Sequence, residues 1–215
     1  MERQQFYKMV PYEASANVPM VIADGRGPAD VRRISQPTQL IDIFPTIMDL
    51  AGVPPARRPV GLDGQTLVGL FGGRAAAHAE AAAAGKEAAT EAAAATRPPF
   101  VVSQFHGDNL AASWFLVVQT IGGATYKLIV WGTGQEVPSM LYNLTADEGE
   151  QTNLLASPTP AVRSLHATLE SSLRSVVSYP EVATQVARYN HARMAYWINS
   201  TGPGWVDAIH APGLR

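Results

Sequence analysis

The sequence predicts an α/β chain that ends in a small antiparallel sheet packed on a helix. Three observations predict it. A helix, an apolar run and a second helix occupy the first 73 residues; four short runs rich in β-branched and aromatic residues lie between 98 and 144; and apolar residues then recur at helical spacing.

From Pro11 the run PYEASAN predicts a short helix with proline at its first position, where no amide hydrogen is needed. Val18 to Ala23, VPMVIA, predicts a buried strand. After a turn-rich connection, Asp42 is the expected N-cap of a helix with Pro45 in its first turn. Ile43, Ile47, Leu50 and Ala51 form its apolar face and Gly52 ends it. Pro54, Pro55 and Pro59 mark a loop, and GLDGQTLVGLFGG predicts a turn and a short amphipathic helix. These residues, 1–73, form the first unit.

Residues 74–97 are almost wholly alanine with scattered charge. Helix propensity is high there, but no apolar face exists to dock such a helix, so the segment is expected to be an insertion or linker. Residues 98–178 form the second unit. FVVSQF, SWFLVVQTI, TYKLIVW and SMLYNL are its strands, and Val162, Leu165, Leu169, Leu173 and Val176 are the buried stripe of the helix that covers them. Residues 179–215 are a polar tail dotted with aromatics.

Composition narrows the function. The formal net charge is -2, which leaves no basic surplus for nucleic acid or an anionic membrane surface. No apolar run approaches the roughly 18 residues that cross a bilayer, and MERQQFYKMV is too polar for a signal peptide. The chain contains no cysteine, so thiolate metal sites, disulfides and cysteine nucleophiles are excluded within it.

Three segments, in order, carry a resemblance: FYKMVPYEASANVPMVI; QPTQLIDIFPTIMDLAGVP with GLDGQTLVGL behind it; and YKLIVW followed by LYNLTADEGEQTNLL. They resemble the sulfatases, where a strand, a D-x-x-P-T helix, an L-D-G loop and an L-Y-D-L-x-x-D-x-x-E-x-x-N-L turn follow one another. SQFHGDN (103–109) and YPEVATQVARYNHARMAYW (179–197) are most similar to the arylsulfatase K group of that family. Asn143 stands where the family usually has aspartate and Glu148 where proline is frequent, while Asp147, Glu150 and Asn153 keep the shape-defining positions.

The resemblance implies the C-terminal part of an alkaline-phosphatase-like sulfatase fold and hydrolysis of sulfate esters, of a sulfated sugar or uronic acid. It also implies a lysosomal or secreted location, with a sulfated carbohydrate or another sulfate ester as partner and room for an oligomer. The family uses a formylglycine within C/S-x-P-x-R and a Ca2+ ion. None of Ser35, Ser157, Ser178 and Ser200 is followed by both the proline and the arginine of that signature, so the nucleophile is absent from this sequence. The calcium ligands are expected upstream of residue 1. Asp147, Glu148 and Glu150 are expected to form a turn or a helix start rather than to converge on a hard cation.

Lys8 matches the lysine that grips a sulfate oxygen in the family, and an ammonium there would stabilise charge developing on the leaving ester oxygen. His106, at a strand end before a glycine, is a candidate substrate contact, and Asp108 and Asn109 are weaker candidates for sugar hydroxyls. His106 is equally readable as a histidine satisfied by loop hydrogen bonds. Glu13 is close enough in sequence to orient Lys8, although an acid in a first helical turn needs no functional reason. His78, His166, His191 and His210 have no partner at catalytic spacing. Asn143 and Asn199 begin glycosylation sequons.

Three readings follow. One is a piece of a catalytic sulfatase that is inactive by itself. Another is a non-catalytic binding remnant of a sulfatase, and the third is part of a phosphoesterase of the same superfamily. An isolated chain is expected to aggregate through the unpaired edge of the Val18–Ala23 strand.

Overall fold

The computed structural model describes residues 10–23, 33–70, 98–107, 113–135, 137–202 and 204. In chain order these form α1 (Glu13–Ala16), α2 (Ile43–Leu50), β1 (Phe100–Phe105), β2 (Trp114–Ile121), β3 (Ala124–Trp131), β4 (Val137–Asn143), α3 (Pro160–Arg174) and α4 (Tyr179–Thr201). Short 3-10 turns cover Leu40–Asp42, Pro55–Arg57, Val68–Leu70 and Leu154–Ala156.

The four strands lie in the order β1-β2-β3-β4, each antiparallel to its neighbour. This is the expected sheet, formed from the expected runs. Gly122 and Gly123, at φ 58° and 85°, make the tight turn between β2 and β3, a conformation that side-chain-bearing residues rarely adopt. Strand alternation then sorts the side chains. Phe115, Val117, Leu128, Val130 and Leu141 face α3 and bury against its Leu169 and Leu173, with Val177 and Tyr179 completing that core. Trp114, Leu116, Ile129 and Tyr142 point the other way, where Tyr12 and Ala16 of the N-terminal segment pack against them.

Helix α3 starts as a capped helix should. Thr159 accepts a hydrogen bond from the Val162 amide at 3.3 Å, and Pro160 occupies the first helical position. Its far end departs from the expected stripe: the helix stops at Arg174, so Val177 is buried and Val176 is 59% exposed. Residues 179–201 of the tail form the 23-residue α4, of which Tyr179 is buried while Tyr189, Met194 and Tyr196 are exposed.

The first unit shows four departures. Pro11 lies outside α1, whose N-cap is Tyr12. Val18 to Ala23 is not a strand; Val18, Val21 and Ile22 are exposed, Val21 at 90%. A buried strand needs paired neighbours on both edges, and no described strand lies beside this one. In α2 the buried residues are Pro45, Thr46 and Met48, while Ile47 and Ala51 are exposed. Gly52, at φ 68°, does end the helix. The GLDGQTL loop is extended and closes in the 3-10 turn Val68–Leu70 instead of an α-helix. Residues 74–97 lie outside the described residues.

Candidate functional site

Of the predicted site residues, Lys8, Asp108 and Asn109 lie outside the described residues. His106 is exposed just beyond β1, with its ring edge-on to Phe115 at a centroid distance of 5.6 Å. The next residue, Gly107, donates its amide to Ser113 Oγ at 3.2 Å, which draws the two ends of the β1–β2 connection together. His106 thus rests against the α3-facing core, whereas the segment that follows Lys8 in sequence packs on the opposite face of the sheet. His166, within α3, approaches Glu170 at 4.0 Å.

The motif residues have defined structural work. Asp42 is buried, and its two carboxylate oxygens accept the Gln39 and Gln65 amides, both at 2.9 Å. The side chain therefore caps the preceding 3-10 turn and not α2, and it ties the D-x-x-P-T helix to the L-D-G loop. Thr46 completes this staple: its hydroxyl donates to the Asp42 carbonyl oxygen at 2.6 Å and accepts from the Leu67 amide at 2.9 Å. Gly64 is required by the same closeness, because a Cβ there would collide with the Ile41 carbonyl oxygen. Gln39 reaches on to the sheet, accepting the Val102 amide on its side-chain oxygen at 3.3 Å.

The turn after β4 is built in the same way. Asp147 accepts the Gln151 and Thr152 amides at 2.9 and 2.8 Å, and Asn153 Oδ1 accepts the Leu141 and Leu155 amides, both at 3.0 Å. Asn143 Oδ1 takes the Thr145 and Ala146 amides, and Thr145 Oγ1 takes the Thr125 amide, so both polar residues of that sequon shape the turn. Asn199 is exposed in the last turn of α4.

The most concentrated charge in the described structure surrounds Lys127, which is fully buried on the β3 face shared with Ile129 and Trp131. Its ammonium lies 2.8 Å from Glu13 Oε1 and 2.9 Å from Glu150 Oε1. Glu150 is itself buried, and its second oxygen accepts the Glu13 amide at 2.8 Å. Glu13 therefore engages Lys127, a partner that its nearness to Lys8 in sequence did not suggest. Sequence reasoning passed over Lys127 altogether, although a lysine at an inward position of an alternating strand is itself a signal.

The described carboxylates do not fit a calcium site. Those of Asp42 and Asp147 are occupied by amide hydrogens and those of Glu13 and Glu150 by Lys127, and no three potential ligands converge among the described residues. Nor is any described helix long and apolar enough to cross a membrane.

Comparison with known proteins agrees with the order of the motifs. The chain is similar to arylsulfatase K of Danio rerio, 35% identical over 209 residues. It is likewise similar to arylsulfatase K of Rattus norvegicus, 33% identical over 211 residues, and of Homo sapiens, 31% identical over 210 residues. Each match takes in 97% of this chain but only 33–35% of the relative, so the chain spans about a third of the length of the curated relatives it matches. No family model matches the chain.

Proposed function

We propose that the chain, which its similarity to arylsulfatase K relates to the sulfatases, forms the C-terminal third of an enzyme that hydrolyses sulfate esters of a sulfated sugar or uronic acid. The observation that carries this reading is the similarity to arylsulfatase K along 97% of the chain, reinforced by the ordered motifs. In this reading the C/S-x-P-x-R nucleophile and the calcium ligands belong to the other two thirds, and this third contributes a frame and substrate contacts. Lys8 grips a sulfate oxygen. His106, exposed at the strand end, meets the rest of the substrate as donor or acceptor, and Asp108 and Asn109 bind sugar hydroxyls.

The test uses the full-length polypeptide that contains this sequence, assayed on paired sulfate and phosphate esters of one phenol and on a sulfated uronic acid. Faster turnover of the sulfate esters is expected, with Lys8→Ala lowering kcat/KM by about a hundredfold. Faster phosphate hydrolysis would replace the reading with a phosphoesterase. Tight binding of sulfated glycans without turnover would replace it with a non-catalytic binding protein.

A further inference from the structure

We propose that Lys127 and Glu150 are positioning residues that act through Glu13 to set the placement of the segment leading to Lys8; this rests on the sulfatase reading above. The α1 helix spans one turn, too short to hold itself, so its position depends on what it touches. Its apolar contacts are the packing of Tyr12 and Ala16 on the sheet and the edge-on approach of Tyr12 to Tyr142 at 6.5 Å. Such contacts tolerate sliding and rotation. The ion cluster does not. Lys127 holds the Glu13 side chain, Glu150 holds the Glu13 backbone amide, and Lys127 and Glu150 hold each other, so one residue of α1 is gripped at two atoms by a braced pair.

The elements that supply this brace are each held by several hydrogen bonds. Lys127 belongs to the inner strand β3, paired on both sides, and Glu150 belongs to the turn fastened by Asp147 and Asn153. Glu150 adopts φ 53°, an uncommon conformation for a residue with a side chain, and in it the carboxylate faces Lys127 and the Glu13 amide. An apolar trio of similar shape would serve stability as well or better, because desolvating three charges is costly. What the ionic arrangement adds is register. Glu13 follows Lys8 by five residues, so fixing its amide and its carboxylate limits where the preceding chain can enter.

The experiment separates register from stability in the full-length enzyme. Lys127→Met alone is expected to lower both thermal stability and activity, since it takes the shared ammonium from the buried Glu150 carboxylate and the partly exposed Glu13 carboxylate. The triple variant Lys127→Met, Glu13→Gln, Glu150→Gln removes every charge. It is expected to recover most of the Tm while kcat/KM on a sulfate ester stays about tenfold to a hundredfold low and inhibition by inorganic sulfate weakens in parallel. Glu13→Gln by itself neutralises the most exposed member of the cluster and keeps the Lys127–Glu150 pair, which provides a second measurement should the triple variant not fold. It too is expected to weaken sulfate inhibition, with Glu13→Asp partly restoring it. Wild-type kcat/KM and sulfate inhibition in the triple variant, or in Glu13→Gln, would overturn the positioning role alone. A full-length enzyme inactive on every sulfate ester would overturn the sulfatase reading and this inference with it.

Discussion

Asp42 and Thr46 show what a family motif can mean at the scale of one residue. Their side chains bind backbone amides 21 and 23 residues away, so D-x-x-P-T is a fastening between a helix and a loop. Thr46→Val keeps the shape but orphans the buried Leu67 amide, and we expect it to lower unfolding stability by about 1–3 kcal/mol in urea titrations. Tyr179 provides a pH handle. Burial pushes its phenol above the ordinary 10.0; the Arg174 guanidinium, 4.7 Å from the ring centroid, opposes this and Glu170 adds to it. Because the folded state holds this proton more tightly, its contribution is complete below pH 10 and is lost as pH rises through the raised value. Tyr179→Phe should therefore flatten the alkaline decline of Tm; an unchanged decline would assign it to other groups. Neither role was legible residue by residue, since a motif shows which residues recur together and not what their oxygens bind.

At the scale of elements, the sheet was readable almost strand for strand, because alternation and glycine turns are local signals that β1 to β4 obey. The body of α3 was equally readable from Val162, Leu165, Leu169 and Leu173, which pack on the sheet. Its end was not. Helical spacing carried the apolar stripe to Val176, but the turn after Arg174 rotates the chain by one residue and buries Val177 instead. A direct comparison follows: Val177→Ala should destabilise the chain by about 1–3 kcal/mol, while Val176→Ala stays within about 0.5 kcal/mol. Chemical denaturation of the two variants side by side decides between the faces. The Val18–Ala23 strand and the expected face of α2 failed for a shared reason. Apolar composition marks residues that prefer burial, yet it does not supply the surface that buries them.

For the whole molecule, that missing surface has consequences. Leu40, Phe44 and Ile47 recur at i, i+4 and i+7 along one side of α2 and its lead-in, all at least half exposed, and Val18, Val21 and Ile22 add further exposed apolar groups. Exposed apolar surface of this kind favours association. The isolated chain is accordingly expected to self-associate, with an apparent mass in light scattering that rises with concentration, and Phe44→Glu with Ile47→Glu should reduce it. A wild-type chain that stays monomeric at high concentration would contradict this. This expectation rests on the exposed side chains of α2 and not on a strand edge, because Val18–Ala23 is not a strand. Sequence by itself determined the four strands, the apolar stripe of α3 as far as Leu173 and the kinship with sulfatases, because periodicity and motif order are written in neighbouring residues. Only the tertiary structure decided that Lys127 is buried, that Glu13 pairs with it across 114 residues, and that Glu150 grips Glu13 across 137. Partners that far apart in sequence leave no local pattern, and the low polarity of the interior requires each buried charge to find one.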